Sequence, residues 1–422
     1  MGQITYRDVI LNSIKPTKKE QERVLLIVEN TKDLILNSLK KNKINAKVEP
    51  GGSFAKNTWL KGDFDCDMFV RFDKKYEKDD ISELLSKNLP FQDVLRVHGS
   101  RDYFQFELEG INFEIVPTIY EKNPEDAKNS TDISPLHITW VKEREKKNEK
   151  LCDEIRLTKK FFKGQQVYGA ESYINGFSGH VIDILVAHYG SFEKLIEAAS
   201  NWKEKELIDT EKIFKSQKDA LTKLNESKTF SPLIVVDPIL STRNAAAALG
   251  LDKFRKLIES AKKFIETQDV NMFEKQEFDP TLIFVPKESK LILIRVEQKK
   301  GSKDIVGCKV MKLYEHIKKQ LTLNNFDLSD SGFEFTYRKQ AHIYFVVSDE
   351  VLTETVLRIG PPIKEKEHVK RFIDVNPDAF EKEGKWQAYV KREFRVPKKL
   401  IEYLLKSDFA KEKIEGYKIL KG

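Results

Sequence analysis

Two aspartates, Asp65 and Asp67, follow the turn Gly51-Gly52-Ser53 by about a dozen residues. The apolar run 68–70 comes directly after them, which predicts that the pair opens a β-strand. Since residues two apart in a strand point to the same face, both carboxylates should project together. Adjacent carboxylates raise each other's pKa unless a cation lies between them. Oxygen ligands on one face suit Mg²⁺, which takes substrate phosphates among its other ligands.

The turn at residues 51–53 adds a second element of this chemistry. A Gly-Gly-Ser sequence exposes backbone N–H groups that can bind phosphate oxygens, above all where a helix begins. The glycines also serve simply as a strand-to-helix turn. An Asp-x-Asp pair is common in solvated turns, and Glu114, an acid in an otherwise apolar run, could be a solvent-facing strand residue. In combination these residues predict metal-assisted chemistry on a nucleoside triphosphate.

The composition limits the classes of protein to which this chain can belong. A chain of 422 residues should divide into roughly two to four domains. With 33% charged residues and no long apolar run, the sequence predicts neither a membrane span nor a membrane partner. The net charge of +7 permits a polyanionic partner without proving one. The three cysteines, Cys66, Cys152 and Cys308, are scattered, so we expect no disulfide framework and a reducing, cytoplasmic location.

Elements of mixed type must position the two aspartates. Helical spacing of apolar residues predicts a long amphipathic helix over 17–42. Extended runs at 46–49, 102–108 and 111–116 predict strands, and Glu109-Gly110 joins the last two as a hairpin. This mixture indicates a small α/β or α+β domain at the N-terminus.

From Trp140 onwards the pattern is helical, and strands return beyond about residue 255. The elements predicted in the second half are an alanine-rich helix after Asn244, a hairpin of strands 282–285 and 291–296, a helix over 305–321, a strand pair 333–337 and 342–347, and a loop at 360–362.

Longer motifs follow one another in a fixed order. They are Gly51 to Asp67 with Asn57-Thr58-Trp59-Leu60, Glu114-Ile115-Val116-Pro117, Ser134-Pro135-Leu136-His137, Arg156-Leu157-Thr158-Lys159, Val167-Tyr168-Gly169-Ala170-Glu171, Gly176-Phe177-Ser178-Gly179, Asp237-Pro238 with Arg243-Asn244, and Gly360-Pro361-Pro362. In order and spacing the chain resembles the archaeal, class I CCA-adding enzymes, which are tRNA nucleotidyltransferases of the polymerase-β-like superfamily. It departs from that family in having Glu114 where an aspartate is usual and Leu240 where an acid is frequent.

The resemblance implies an α+β multidomain fold. A polymerase-β-like nucleotidyltransferase head would span 1–140, a helical, nucleotide-binding neck 141–254, and an α/β body and tail that bind tRNA 255–422. It also implies template-independent addition of C, C and A to the 3′ end of tRNA from CTP and ATP, with release of pyrophosphate. The C-terminal half would hold the acceptor and T-arm by backbone and shape, and a homodimer is a family-level expectation.

By the same resemblance, Asp65, Asp67 and Glu114 would be the catalytic residues and would hold two Mg²⁺ ions. Ser53 and Lys56 would contact the triphosphate. The other nucleotide contacts that the family implies are His137, Lys159, Tyr168 and, for the base, Arg243.

Four of these proposed nucleotide contacts also have a purely structural interpretation. His137 could be a helix N-cap or a packing histidine, and Lys159 lies in a basic segment that could be a solvated face. Tyr168 could be a core aromatic with a wet hydroxyl, and Arg243 could serve only to pair with Asp237.

Two other functions stay open at this point. A poly(A) polymerase or another template-independent RNA nucleotidyltransferase would share the head but not the tRNA-binding half. An RNA-binding protein with an inactive head would have lost part of the acid set, whereas all three acids are present here.

Overall fold

The computed structural model describes residues 5–99, 101–224 and 229–420. The chain forms two compact units, Met1–Gln276 and Glu277–Gly422. Both units mix helices and strands, which confirms the predicted α+β multidomain class. Among the described helices, none has both the length and the apolar composition required to cross a lipid bilayer.

The N-terminal part of the first unit contains a five-stranded sheet. Its strands are β1 (Ala46–Pro50), β2 (Asp65–Phe72), β3 (Leu95–Val97), β4 (Tyr103–Leu108) and β5 (Ile111–Ile119), in the order β1-β2-β5-β4-β3. Strands β2 and β5 are parallel, whereas the other pairs are antiparallel. Glu109 and Gly110 both have positive φ and form the two-residue turn between β4 and β5, which confirms the predicted hairpin.

Helices cover this sheet and form the rest of the unit. They are α1 (Tyr6–Ile14), α2 (Lys18–Lys41), α3 (Gly52–Ala55), α4 (Ile81–Ser86), α5 (Ser134–Glu145), α6 (Leu151–Gly164), α7 (Gly179–Tyr189), α8 (Phe192–Ala199), α9 (Gln217–Lys223) and α10 (Leu251–Thr267). The apolar stripe of α2 is buried against the sheet at Val28, Ile35 and Leu39. Two short strands, β6 (Glu206–Ile208) and β7 (Leu233–Val235), pair in parallel among the later helices.

Four phenylalanines form the centre of the helical part of the first unit. Phe161 of α6, Phe192 of α8, Phe264 of α10 and Phe273 are in mutual contact, with ring centroids 5.3 to 5.6 Å apart. Such edge-to-face and tilted pairs add to the free energy of burial. Because α10 contributes Phe264 to this core, the helix belongs to the first unit, and the boundary expected between residues 254 and 255 falls within it.

The prediction of an alanine-rich helix after Asn244 is wrong. Residues 245–248 form turns instead. The Asn244 side chain binds the backbone of β7, since its Oδ1 accepts from Val235 N at 2.9 Å and its Nδ2 donates to Leu233 O at 3.1 Å. Side-chain bonds of this kind offer the backbone an alternative to helical pairing.

The second unit contains two antiparallel sheets. The larger one has β8 (Ser289–Glu297), β9 (Leu328–Phe335), β10 (Ala341–Ser348) and β14 (Gly416–Leu420), in the order β14-β8-β10-β9. The smaller one has β11 (Thr355–Pro362), β12 (Phe380–Lys382) and β13 (Lys385–Lys391), in the order β11-β13-β12. The helices of this unit are α11 (Lys303–Leu323), α12 (Lys366–Val375), α13 (Pro397–Leu405) and α14 (Asp408–Lys413). Helix α11 and the pair β9–β10 confirm the predictions for those segments.

Two predictions in this unit are wrong. Residues 282–285 form no strand, and β8 pairs instead with β10 and β14. The segment 360–362 is the end of edge strand β11 rather than a loop. A Cβ on Gly360 would lie 2.8 Å from the Phe372 ring of α12, so the glycine allows close packing of helix on strand.

We expect Phe161→Ala to destabilise the protein by about 3–5 kcal/mol, because it leaves a cavity among the other three rings. The control is Ile265→Ala on α10, whose side chain is 48% exposed and whose truncation should cost within about 0.5 kcal/mol. Urea unfolding of the full chain measures both values, and equal destabilisation by the two variants would contradict the assignment of the core.

Candidate active site

The parallel pairing of β2 and β5 places three carboxylates on one face of the sheet. Asp67 lies opposite Glu114 in the register, and Asp65 lies opposite Asn112. Paired residues on neighbouring strands share a face. The alternate residues, Cys66 and others, are buried on the far side. The structure therefore brings Glu114 next to the Asp-x-Asp pair from a distant part of the sequence.

The three acids share a face without converging on one point. Glu114 Oε1 accepts from Gln105 Nε2 at 2.6 Å, and Asp65 Oδ1 accepts from Asn112 Nδ2 at 3.2 Å. Among the described residues, one group of three His, Cys, Asp or Glu side chains has its ligating atoms within 4.8 Å of one another. That group lies elsewhere in the first unit. The extra methylene of Glu114 and its bond to Gln105 hold its carboxylate toward β4.

The Gly-Gly-Ser turn lies directly against Asp67. Gly51 N donates to Asp67 O at 2.7 Å, and α3 begins at the next residue. Gly52 has φ of +53°, and a Cβ built on it would lie 1.5 Å from Asp67 Oδ2. Any side chain at position 52 would therefore occupy the position of the carboxylate. Ser53 follows in α3 and is half-buried. Because Gly51 N is bonded to Asp67 O, the backbone of the turn lies beside the acids.

Burial and the neighbouring Asp65 raise the pKa of Asp67 to about 6, while Lys56 and Lys159 oppose the shift. A carboxylate in this position retains a proton near neutral pH more readily than a free one. A divalent cation would replace that proton and relieve the repulsion between the two aspartates. Oxygen ligands of this type fit a hard divalent cation, and Asp65, Asp67 and Glu114 are the residues that could hold one.

Two lysines lie near these acids, and both are buried. Lys56 Nζ donates to Asp183 Oδ2 of α7 at 2.7 Å, with side chains 9% and 2% exposed. Lys159 of α6 donates to Thr58 Oγ1 at 3.0 Å and to Thr58 O at 3.2 Å. Burial lowers the pKa of Lys159 to about 8, although Asp183 opposes the shift. The interpretation of Lys159 as part of a solvated face is therefore wrong.

Tyr168 lies near the same lysine. A Cβ on Gly179 would be 3.1 Å from the Tyr168 hydroxyl and 3.9 Å from Lys159 Cε, so the glycine that begins α7 leaves space for both. Burial and the charge of Asp183 raise the pKa of the Tyr168 hydroxyl. The residue is half-buried and packs against the core cluster of the first unit, which agrees with the core interpretation.

Asp237 is the centre of a separate cluster. His137 Nε2 lies 3.0 Å from Asp237 Oδ1, and His180 Nε2 lies 3.4 Å from Oδ2. Arg243 donates to Oδ2 at 2.7 Å, and Ile239 N donates to Oδ1 at 2.9 Å. His137 is inside α5 and its ring centroid is 3.9 Å from that of His180, so it is not an N-cap, and Arg243 does pair with Asp237.

The hydrogen bonds that Asp237 already accepts argue against a metal ion in this cluster, although the ionisation of its residues does not. Although burial raises the pKa of Asp237, hydrogen bonds from both histidines hold it well below the usual range. Burial lowers the pKa of His180 to about 4, so its ring is neutral at neutral pH. Two imidazoles and a carboxylate can bind transition metals. Here, however, both oxygens of Asp237 already accept several donors, one of them the cationic Arg243.

Sequence reasoning missed Asp183 and His180 as site residues. Both are on α7, whose residues 181–186 are otherwise apolar and completely or nearly completely buried. A lone acid within such an apolar helix is the signal that could have identified Asp183, because an acid is seldom fully buried without a cationic partner.

Three family models match the chain. They are a nucleotidyltransferase domain over residues 32–137, the second domain of tRNA nucleotidyltransferase over 153–274, and the C-terminal domain of CCA-adding enzyme over 287–422. A CCA-adding enzyme of Nanoarchaeum equitans is 35% identical over 349 residues, which cover 82% of this chain and 83% of the relative. A CCA-adding enzyme of Methanocaldococcus jannaschii is 31% identical over 395 residues, which cover 91% and 87%.

Solved structures show the same fold at low identity. A cytoplasmic RNA terminal U-transferase superimposes with a TM-score of 0.51 at 12% identity, over 65% of this chain and 100% of that one. The Cid1 poly(U) polymerase with Mg and 3′-dATP superimposes with a TM-score of 0.52 at 12% identity, over 64% and 98%. The similarity supports the predicted polymerase-β-like fold of the head.

We expect Gly52→Ala to weaken binding of a divalent cation by at least about tenfold, because the new Cβ displaces the Asp67 carboxylate. Gly62→Ala is the matched control, since Gly62 also has positive φ, +72°, but a Cβ there would have no atom within 4 Å. Titration with Mn²⁺ as a spectroscopic probe measures both, and equal effects would assign the loss to backbone strain alone.

Proposed function

Because the chain belongs to the family of CCA-adding enzymes, we propose that it adds C, C and A to the 3′ end of tRNA from CTP and ATP without a nucleic-acid template. One observation carries this proposal: a nucleotidyltransferase head and the C-terminal domain of CCA-adding enzymes occur in one chain, with relatives aligned over most of its length. An RNA terminal U-transferase and a poly(U) polymerase share this fold, so the fold by itself does not favour CCA addition.

We propose that Asp65, Asp67 and Glu114 hold Mg²⁺. Their common face and the raised pKa of Asp67 support this role. When bound, such ions lower the pKa of the attacking RNA hydroxyl and stabilise the leaving pyrophosphate. The contribution of this chain is to hold the three carboxylates at fixed positions and to keep Asp67 available for a cation. Glu114, beside Asp67, is the proposed acceptor of the hydroxyl proton.

The triphosphate is proposed to lie over the Gly-Gly-Ser turn, with Ser53 and Lys56 on one side and Lys159 and Tyr168 on the other. The burial of both lysines supports this placement, because a fixed cation in a site shielded from water interacts strongly with developing negative charge. Nζ of Lys159 makes two hydrogen bonds to Thr58, which fixes its position before substrate binds.

We propose that Arg243 contacts the incoming base and that His137 acts on the nucleotide through Asp237. The Arg243 side chain is partly exposed while its Nη1 is anchored on Asp237. One guanidinium has five N–H donors, so anchoring one of them leaves a planar edge for a base. His137 is buried against Asp237, which supports a role in holding that anchor.

The unit Glu277–Gly422 is proposed to bind the acceptor stem and T-arm of tRNA, which A-form RNA permits through its backbone and shape. The head and neck assignments, 1–140 and 141–254, remain part of the proposal, with α10 added to the neck. Cys66, Cys152 and Cys308 form no disulfide among the described residues, which supports the proposed cytoplasmic location. A homodimer stays an expectation from the family.

The test uses purified protein, Mg²⁺, labelled CTP and ATP, and a tRNA that ends before its CCA. We expect C, C and A to be incorporated and synthesis to stop there. Asp65→Ala and Asp67→Ala should each lower the transfer rate by more than about 10²-fold, because the cation loses a ligand. Their affinity for tRNA should stay near that of the wild type, since distributed phosphate contacts supply most of it.

Asp33→Ala, an exposed acid on α2, is the control and should transfer normally. Incorporation that runs past three nucleotides or ignores CTP would favour a poly(A)-type activity instead. Tight tRNA binding with no incorporation by the wild type would favour an RNA-binding protein with an inactive head.

The pH dependence of nucleotide transfer should report the ionisation of Lys159. Burial places the pKa of this ammonium at about 8, so its charge is present below that pH and is lost as the pH rises through it. Since kcat/KM reflects ionisations of the free enzyme, kcat/KM for CTP should fall above about pH 8. Lys159→Met should have a lower kcat/KM and lose this fall, and a wild-type profile flat to about pH 9.5 would contradict the assignment.

A further inference from the structure

One oxygen of a completely buried carboxylate has no hydrogen-bond partner within the described residues. Asp183 is on α7, with its side chain 2% exposed. Its Oδ2 accepts from Lys56 Nζ at 2.7 Å, whereas its Oδ1 is buried and without a donor. An unmet acceptor of this kind costs free energy, about 1–3 kcal/mol, so its retention calls for a reason other than stability.

The groups around Asp183 are those assigned to the triphosphate. Lys56 comes from the loop after α3, Lys159 from α6 and Tyr168 from the segment before α7, and all three interact electrostatically with Asp183. His180 lies one turn earlier on the same helix. The acid thus lies behind the proposed phosphate-binding groups, on the neck side, while Asp67 lies on the head side.

Lys56 needs such a partner more than the other groups do. A lysine side chain has several rotatable bonds, and its position is fixed only by what the ammonium binds. In the described residues Asp183 is the group to which Lys56 donates, which leaves two of its three N–H donors for other acceptors. Lys159, by contrast, is already held by Thr58.

We propose that Asp183 is a positioning residue for nucleotide transfer: its carboxylate holds the Lys56 ammonium where that ammonium meets the phosphates of the incoming nucleotide. Asp183 does not itself contact the substrate, which its negative charge would repel. This inference rests on the proposed function, in which Lys56 is a triphosphate contact. It adds a dependence of nucleotide binding in the head on an acid of the neck.

The test is a double-mutant cycle of Asp183→Asn and Lys56→Met in the full chain. Binding of CTP with Mg²⁺ is measured without tRNA, so that no transfer occurs. Asp183→Asn should weaken CTP binding by about tenfold or more, the range seen when a group that orients a primary ligand is removed. In the Lys56→Met background the same substitution should change CTP binding by less than about twofold, because the group that Asp183 positions is absent.

The outcomes separate this inference from the function on which it rests. If Lys56→Met alone leaves CTP binding unchanged, the assignment of Lys56 to the triphosphate fails. If Lys56→Met weakens binding but Asp183→Asn costs the same in both backgrounds, the positioning role of Asp183 is overturned. With tRNA present, KM for CTP should rise more than kcat falls.

Two further variants separate positioning from folding. Asp183→Glu keeps the charge, so CTP binding should stay within about threefold of wild type even if overpacking lowers Tm. A loss as large as that of Asp183→Asn would overturn the inference. Glu154→Gln removes another buried acid of the neck, which binds Arg7 and Phe192 N, and should lower Tm with CTP binding unchanged.

Discussion

The parallel register of β2 and β5 determines where every acid of the site lies. It sets Asp67 beside Glu114 and, on the other face, Met68 beside Ile115, both completely buried. A slip of one residue would turn Glu114 into the core and its apolar neighbours into solvent. Burial of apolar surface, worth about 25 cal/mol per Å², therefore holds together carboxylates that repel one another. The geometry of the acids is stabilised by the face of the sheet that takes no part in chemistry.

The pKa values of two buried aspartates of this unit shift in opposite directions. Burial raises the pKa of Asp67, and the neighbouring carboxylate of Asp65 raises it further, although Lys56 and Lys159 oppose the shift. Burial also favours a higher pKa at Asp237, yet hydrogen bonds from His137 and His180 outweigh this effect and lower the pKa. The difference lies in the donors: several N–H groups stabilise the charge of Asp237, whereas at Asp67 burial outweighs fewer favourable contacts.

Local patterns predicted the parts of the fold that local forces determine. The period of β2, the Glu109-Gly110 turn and the apolar stripe of α2 all appear as expected. The prediction failed where distant contacts decide the structure, as when Asn244 binds β7 in place of a helix or Gly360 packs against Phe372. The acids of β2 could be predicted for the same reason as the strand. Asp183 is visible in the sequence as a lone acid within an apolar helix, but helical periodicity gives no sign of its partner Lys56, 127 residues away.

The burial of Lys159 shows what sequence patterns cannot decide and packing can. With basic neighbours, this lysine is indistinguishable in sequence from a solvated surface residue. Moving an ammonium out of water costs several kcal/mol unless hydrogen bonds replace those to solvent. Thr58 supplies acceptors for two of its three N–H groups, and within the described chain no further acceptor is bonded to the third. A lysine on the surface would avoid this free-energy cost. A buried lysine offsets it if its ammonium binds a phosphate oxygen of a substrate.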